Sequence, residues 1–195
     1  MDSERTNNLT ALEERRRRVC PPRYVHTMDN FLRPLLHSSN KLFGPHLRPG
    51  MTVLDVGCGG GFASLGMARL VGENGRVIAA DLQPEMLAMV KERAKEAGLT
   101  DRIAIHRCNA YQVGVREELD FAVAFWMVHE VQDLRAFFDE MFTLLKPGGR
   151  FFIAEPMFHV SRNDFKCLVE MAQDAGFTIL DKPRVRISRA AVLVK

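Results

Sequence analysis

No apolar run in this 195-residue chain approaches the roughly 20 residues that a membrane-spanning helix needs. Its first residues carry charge without an apolar stretch, so no secretory signal is read there. The four cysteines, Cys20, Cys58, Cys108 and Cys167, show no C-x-x-C spacing, which argues against a zinc site or a redox pair. A disulfide framework is not expected at this length; reduced thiols and a cytoplasmic setting are. Strong charge is also missing. The net charge is +3, and the first 25 residues supply six Arg against four Asp or Glu, which leaves +1 for the rest. That balance argues against a large nucleic-acid footprint, which needs a concentrated basic face. The exception is the RRRR run at 15–18, read as a solvated arm or helix end, with a phosphate or RNA contact as the other reading.

What is present is ordinary globular chemistry: 47% apolar and 26% charged residues, enough for one domain with a short appendage. Residues 1–45 read as an N-terminal arm. Within it Phe31, Leu32, Leu35, Leu36 and Leu42 are spaced for one helical face, with Pro34 as a break, and this is a candidate lid helix. From there to residue 195 a strand–helix alternation runs. Strands are expected at 52–56, 76–81, 102–107, 120–125 and 150–155. Helices are expected at 63–71, 85–98, 134–145 and 161–176, with Pro84 at a helix start and Ser161 as an N-cap. Strands that are almost continuously apolar and separated by helices imply a parallel sheet covered on both faces. The last two strands, in FTILDKPRV and SRAAVLVK, have no helix between them and should pair as an antiparallel hairpin at one edge.

The stretch VLDVGCGGGF (53–62) is the most informative. A strand carrying Asp55 ends, and Gly57, Gly59 and Gly61 follow at alternate positions before a helix. Glycines there let the backbone turn sharply and approach a ligand, in the crevice where open α/β sheets bind. The dinucleotide fingerprint G-x-G-x-x-G would need glycine where Phe62 stands, so a nicotinamide cofactor is disfavoured. Asp81 ends the second strand. A carboxylate there can accept hydrogen bonds from both ribose hydroxyls of an adenosine, and it can also cap the following helix.

With VLDVGCGGG, VIAADLQPEML, DFAVAFWMVHEV and LLKPGGRFFIAEP in that order, residues 46–195 resemble a class I S-adenosylmethionine-dependent methyltransferase domain. The resemblance implies a Rossmann-like seven-stranded, mostly parallel sheet of order 3-2-1-4-5-7-6, with strand 7 antiparallel and helices on both faces. It implies S-adenosylmethionine as cofactor, with the 57–61 loop against the methionine part, Asp81 on the ribose and Leu82 beside the adenine. Asn109 falls where the family places a polar residue, commonly Asp, near the adenine amine. Asp55, Ala110 and Phe125 complete the implied cofactor contacts, and Cys58 and Cys108 pack nearby as small residues rather than reactive ones.

The same resemblance sets Trp126, His129 and Glu130, in AFWMVHEV, beside the transferable methyl group. His129 is a candidate general base, an acceptor-orienting group or a structural tie; its ordinary pKa near 6.5 suits the first. Glu130 is read as a partner for a backbone N–H or a cation. Neighbours on a continuing strand point to opposite faces, so both converge only if the chain turns near Met127. Glu155 and His159, in EPMFHV, are candidates for the mouth of the same site, with capping of the Pro156 turn as the alternative for Glu155. Tyr24 and His26 are candidates from the N-terminal arm. A metal held by His129, Glu130, Glu155 and His159 is not expected, because metal-dependent members use Asp and Asn ligands in another arrangement.

The N/D-P-P-Y/F motif of amino-methylating nucleic-acid enzymes is absent, since FWMV stands in its place. A small-molecule acceptor is therefore expected, with the methylated atom open and a monomer or homodimer as the assembly. A non-catalytic cofactor-binding subunit and an RNA or protein methyltransferase are the alternatives.

Overall fold

The structure, a computed structural model, describes residues 37–195. Cys20, Tyr24, His26, Pro34 and the 15–18 run lie outside the described residues. Five parallel strands form in register with the apolar runs: β1 (Thr52–Val56), β2 (Arg76–Asp81), β3 (Ile103–Arg107), β4 (Leu119–Phe125) and β5 (Leu145–Pro156). Then β6 (Thr178–Asp181) and β7 (Ser188–Val194) pair antiparallel, and β7 inserts next to β5. The order is β3-β2-β1-β4-β5-β7-β6 in one seven-stranded sheet, as expected, with β7 reversed.

Alternate strand residues feed opposite faces, because successive side chains point opposite ways. Leu54, Val56, Ile78 and Ala80 join one core with Phe138, Met141 and Leu168. That core lies under α4 (Leu134–Leu144) and α5 (Arg162–Asp174). Val53, Val77 and Ala79 join the other with Phe43, Met67 and Val90. These come from α1 (Ser39–Phe43), α2 (Phe62–Leu70) and α3 (Pro84–Glu96). Phe43 is fully buried and its ring meets Phe152 edge-on at 5.5 Å. The packed body therefore extends N-terminal of residue 46, and burial of that one ring contributes about 1.5–3 kcal/mol.

The helix ends follow local chemistry. Asp133 accepts from Ala136 N at 2.9 Å to start α4. Ser161 and Asp164 form a reciprocal capping box at α5, the expected N-cap. Helix α4 ends at Leu144, one residue earlier than expected, and β5 begins at Leu145 rather than at Arg150. The reason is a register shift: Leu145 pairs with Leu119, and the KPGG segment is taken up before Arg150 pairs with Phe121. Asp120 ties this edge together, accepting from Thr52 N at 2.8 Å and from Lys146 Nζ at 2.6 Å.

His46 stacks on Phe121 with ring centroids 6.0 Å apart, and its Nδ1 accepts from Arg150 Nη1 at 3.3 Å. Burial, then the Arg150 charge, lowers its pKa below the ordinary value. The sign follows from the unfolded state taking the proton more readily. The stability contributed by neutral His46 is present above about pH 6.5 and is lost as pH falls from there to the lowered folded value. Urea unfolding across that window should show a fall in midpoint that is smaller in His46→Gln.

Candidate active site

The site is built where the chain order reverses, at the carboxyl ends of β1, β2, β4 and β5. At the end of β1, Asp55 is buried and accepts from Ser64 Oγ at 2.5 Å, so the strand's acidic residue is tied to the first turn of α2. Gly57, Gly59 and Gly61 all take left-handed backbone angles, with φ of 64, 49 and 88°. An L side chain in that region costs about 1–2 kcal/mol. At Gly57 space is lacking as well, since a Cβ would lie 2.8 Å from Met127 Cβ. The glycine loop and the turn after β4 thus touch backbone against side chain.

The loop is fixed from below. Cys58 N donates to Ala80 O at 3.0 Å, and Arg93 Nη1 donates to Gly60 O. Asp81 closes the arrangement. Its Oδ2 accepts from Gly59 N and its Oδ1 from Gln83 N, both at 2.9 Å. Burial pushes the Asp81 carboxyl up, and backbone N–H groups of Gln83, Gly59 and Leu82 oppose that shift. One carboxylate therefore joins the loop to the start of α3. Leu82, beside it, is exposed.

After β3 the chain turns on Asn109, whose Oδ1 accepts from Tyr111 N at 2.8 Å and Gln112 N at 2.9 Å. Two backbone donors on one atom assign it as the oxygen, which turns Nδ2 outward as a donor only. Asn109 and Ala110 are exposed. Glu140 of α4 clamps the same loop, accepting from Val113 N at 2.9 Å and Gly114 N at 2.7 Å.

Cys58 is buried and Cys108 partly so. Burial, then the Asp81 charge, pushes the Cys108 thiol up to about 12, and burial, then Asp55, raises Cys58 well above its ordinary value. Neither is a nucleophile near neutral pH, which agrees with packing roles. Native Cys108 should react with iodoacetamide roughly thousandfold more slowly than a free thiol, and at the ordinary rate in urea. Peptide mapping of the alkylated protein checks this.

The turn that AFWMVHEV requires is made at Trp126, one residue before Met127. Trp126 takes φ 65°, and a short 3-10 turn, Val128–Glu130, follows. A bulky residue in that region is strained, a state that persists only where its surroundings hold it. Here Trp126 N donates to Ala154 O at 2.7 Å and Trp126 Nε1 donates to Ser188 Oγ at 2.8 Å. The turn swings His129 onto Glu155. His129 Nδ1 contacts Glu155 Oε2, while Glu155 Oε1 accepts from Val128 N at 2.8 Å.

Glu155 is fully buried, so it lies beneath His129 rather than at the mouth. His159 is exposed and stacks on His129 with centroids 5.6 Å apart. Glu130 Oε1 lies 3.9 Å from His129 Nε2, so the adjacent pair does converge. Phe125 and Trp126 continue an aromatic group with His37, Phe62 and Phe158. Among the described residues no group of three or more His, Cys, Asp or Glu is arranged to hold a metal ion.

Several participants were not singled out in the sequence: Ser64 on Asp55, Arg93 on the loop, Met127 against Gly57, Glu140 on the 109–114 loop and Ser188 on Trp126. Only Ser64 carries a local signal, a hydroxyl in the first turn of a helix after an acidic strand end.

The sequence profile of a methyltransferase domain matches residues 47–181, most of the described chain. The chain belongs to the class I S-adenosylmethionine-dependent methyltransferases. A solved SAM-dependent methyltransferase from Aquifex aeolicus superposes on this methyltransferase with a TM-score of 0.81, over 90% of this chain and 99% of that one, at 24% identity. Aeropyrum pernix fibrillarin, solved with natively bound S-adenosyl-L-methionine, does so with a TM-score of 0.60 over 76% of this chain and 67% of its own, at 16% identity. At those identities the likeness speaks for the fold alone. Curated relatives include ubiquinone/menaquinone biosynthesis C-methyltransferase UbiE of Vibrio vulnificus, 32% identical over 109 residues, 55% of this chain. The Klebsiella pneumoniae protein of that name is 33% identical over 110 residues, 56% of this chain. The match spans less than half of those relatives' own length, 42% and 44%.

Proposed function

We propose that this chain transfers the methyl group of S-adenosylmethionine to a small-molecule acceptor. The observation that carries the reading is the left-handed glycine loop tied to Asp81 at the ends of β1 and β2. Those residues fit the cofactor: a close backbone approach at 57–61, a carboxylate at the strand end to accept from the ribose, and an exposed Leu82 for the adenine face. Asn109 Nδ2, a donor, suits a ring nitrogen of adenine rather than its amine, so the Asp-to-Asn departure changes which adenine atom is read. Bound there, S-adenosylmethionine supplies an activated methyl group on a sulfonium. The residues at the ends of β4 and β5 orient the acceptor and take up its proton. Trp126 and Phe158 offer apolar ring faces, and His129 and Glu130 the polar groups.

A small acceptor is supported by the names of the curated relatives, which concern quinone biosynthesis, and by the low net charge. The test is product formation. Purified protein with methyl-labelled S-adenosylmethionine is offered phenols, quinols, thiols and amines, and label is followed into the extracted acceptor. Transfer to at least one class is expected. Tight cofactor binding with no transfer to any class would favour a non-catalytic subunit.

A further inference from the structure

We propose that two adjacent turns beside Trp126, bearing Met157, Phe158 and Ile187 and flanked by Lys182, Arg184 and Arg186, dock this chain on an anionic lipid surface. The inference goes beyond the methyl-transfer reading and does not depend on it. The first turn follows β5, and the second joins β6 to β7. Both β5 and β6 run antiparallel to β7, so the two turns lie at the same end of the sheet as the glycine loop. They are fastened to each other. Met157 N donates to Ile187 O at 2.9 Å, and Arg189 Nη1 donates to Val160 O at 2.7 Å.

Met157, Phe158 and Ile187 are 48, 59 and 41% exposed and join neither core. Large apolar groups exposed together and rimmed by polar ones mark a surface that meets something else. Ile187 adds a second observation. Its φ is 50°, in the left-handed region where a β-branched side chain is strained and Asn or Gly sits easily. An exposed, apolar and strained residue serves nothing in the fold, and such strain points to function.

The charge says what covers them. Residues 181–189 carry four cations against one carboxylate, in a chain whose whole net charge is only +3. Lys182, Arg184 and Arg186 are exposed, and no ion pair among the described residues engages them. An anionic lipid surface satisfies both groups at once. Its phosphates take the cations, and the apolar tips enter the boundary beneath them. Nucleic acid would use the cations, but aliphatic Met157 and Ile187 cannot stack on its bases as aromatic side chains do. Docked in this way, the chain turns Trp126 and the ends of β4 and β5 toward the lipid.

The test is sedimentation of the full chain with vesicles of phosphatidylcholine, alone or with about 30% phosphatidylglycerol. Partition into the anionic vesicles should exceed that into neutral ones about tenfold or more, and should fall in about 0.5 M salt. Equal partition, or none, overturns the proposal. Lys182→Gln/Arg184→Gln/Arg186→Gln should lose the preference for anionic vesicles. Met157→Ser/Ile187→Asn should bind about tenfold more weakly. That variant should melt no lower than wild type, because Asn relieves the strain at 187. Undiminished binding in either variant overturns the proposal.

Trp126 is the only tryptophan of the chain, and its ring lies 5.8 Å from that of Phe158. It reports on this face without any variant. Vesicles of the anionic mixture brominated on the acyl chain close to the headgroup should quench its fluorescence on binding. Sedimentation with unquenched fluorescence puts the contact elsewhere on the chain and overturns the proposal. Binding of poly(U) RNA, with none to vesicles, assigns the cations to nucleic acid and overturns it too. None of these outcomes touches the methyl-transfer reading, which stands or falls on cofactor binding and product formation.

Discussion

Asp81→Ala weakens S-adenosylmethionine binding by about 1–3 kcal/mol, roughly 5- to 150-fold, when measured by calorimetry. Two losses act together. On the proposed reading the ribose loses its charge-assisted acceptor, and Gly59 N and Gln83 N lose theirs, so the loop is no longer held in its shape. Asp81→Asn should rescue little. Both Asp81 oxygens face backbone donors, and an amide must turn its NH2 toward one of them. The same geometry sets a pH effect. Burial raises the Asp81 pKa, so its protonation, and with it the fall in affinity, begins at a higher pH than for a free aspartate. Affinity unchanged in Asp81→Ala would remove the ribose assignment.

Gly57→Ala carries the second large effect. The φ of 64° alone costs about 1–2 kcal/mol with a side chain, and the 2.8 Å approach to Met127 adds overlap of about 1–3 kcal/mol. Met127 Cβ cannot swing away as a side-chain end would, so the strain passes into the 57–61 loop and the turn before His129. Both thermal stability and cofactor affinity should drop. Gly98→Ala is the matched control. Its φ is 66°, but nothing lies within 4 Å of the added Cβ. It should lose the backbone part only and keep full cofactor affinity. Equal losses in the two variants would show that the contact with Met127 does not matter.

The reach of sequence reading differs between the strands and the turns. Strand positions were legible because a sheet covered on both faces needs continuous apolar runs, and VIAA and FAVAF can be little else. The order of strands came from the resemblance, since no local pattern says which parallel neighbours meet. The place of Asp81 was legible because a strand end and a helix start coincide there. Glu155 was not. In the sequence it is one acidic residue before a proline, with a mouth-lining and a capping role equally open. What decides is a long-range fact, that β4 and β5 are neighbours and that Trp126 turns His129 back over the end of β5. The start of β5 was missed for a related reason. KPGG signals a turn, and only pairing with Leu119 across the sheet extends the strand back to Leu145.

The central claim is that the glycine loop and Asp81 hold an adenosyl cofactor at the ends of β1 and β2. Calorimetric titration of the purified protein with S-adenosylmethionine, S-adenosylhomocysteine and NAD tests it most directly. The account predicts one-to-one binding of both adenosyl compounds in the micromolar range, about −8 kcal/mol, and none of NAD. Heat from NAD alone, or from none of the three, would contradict it.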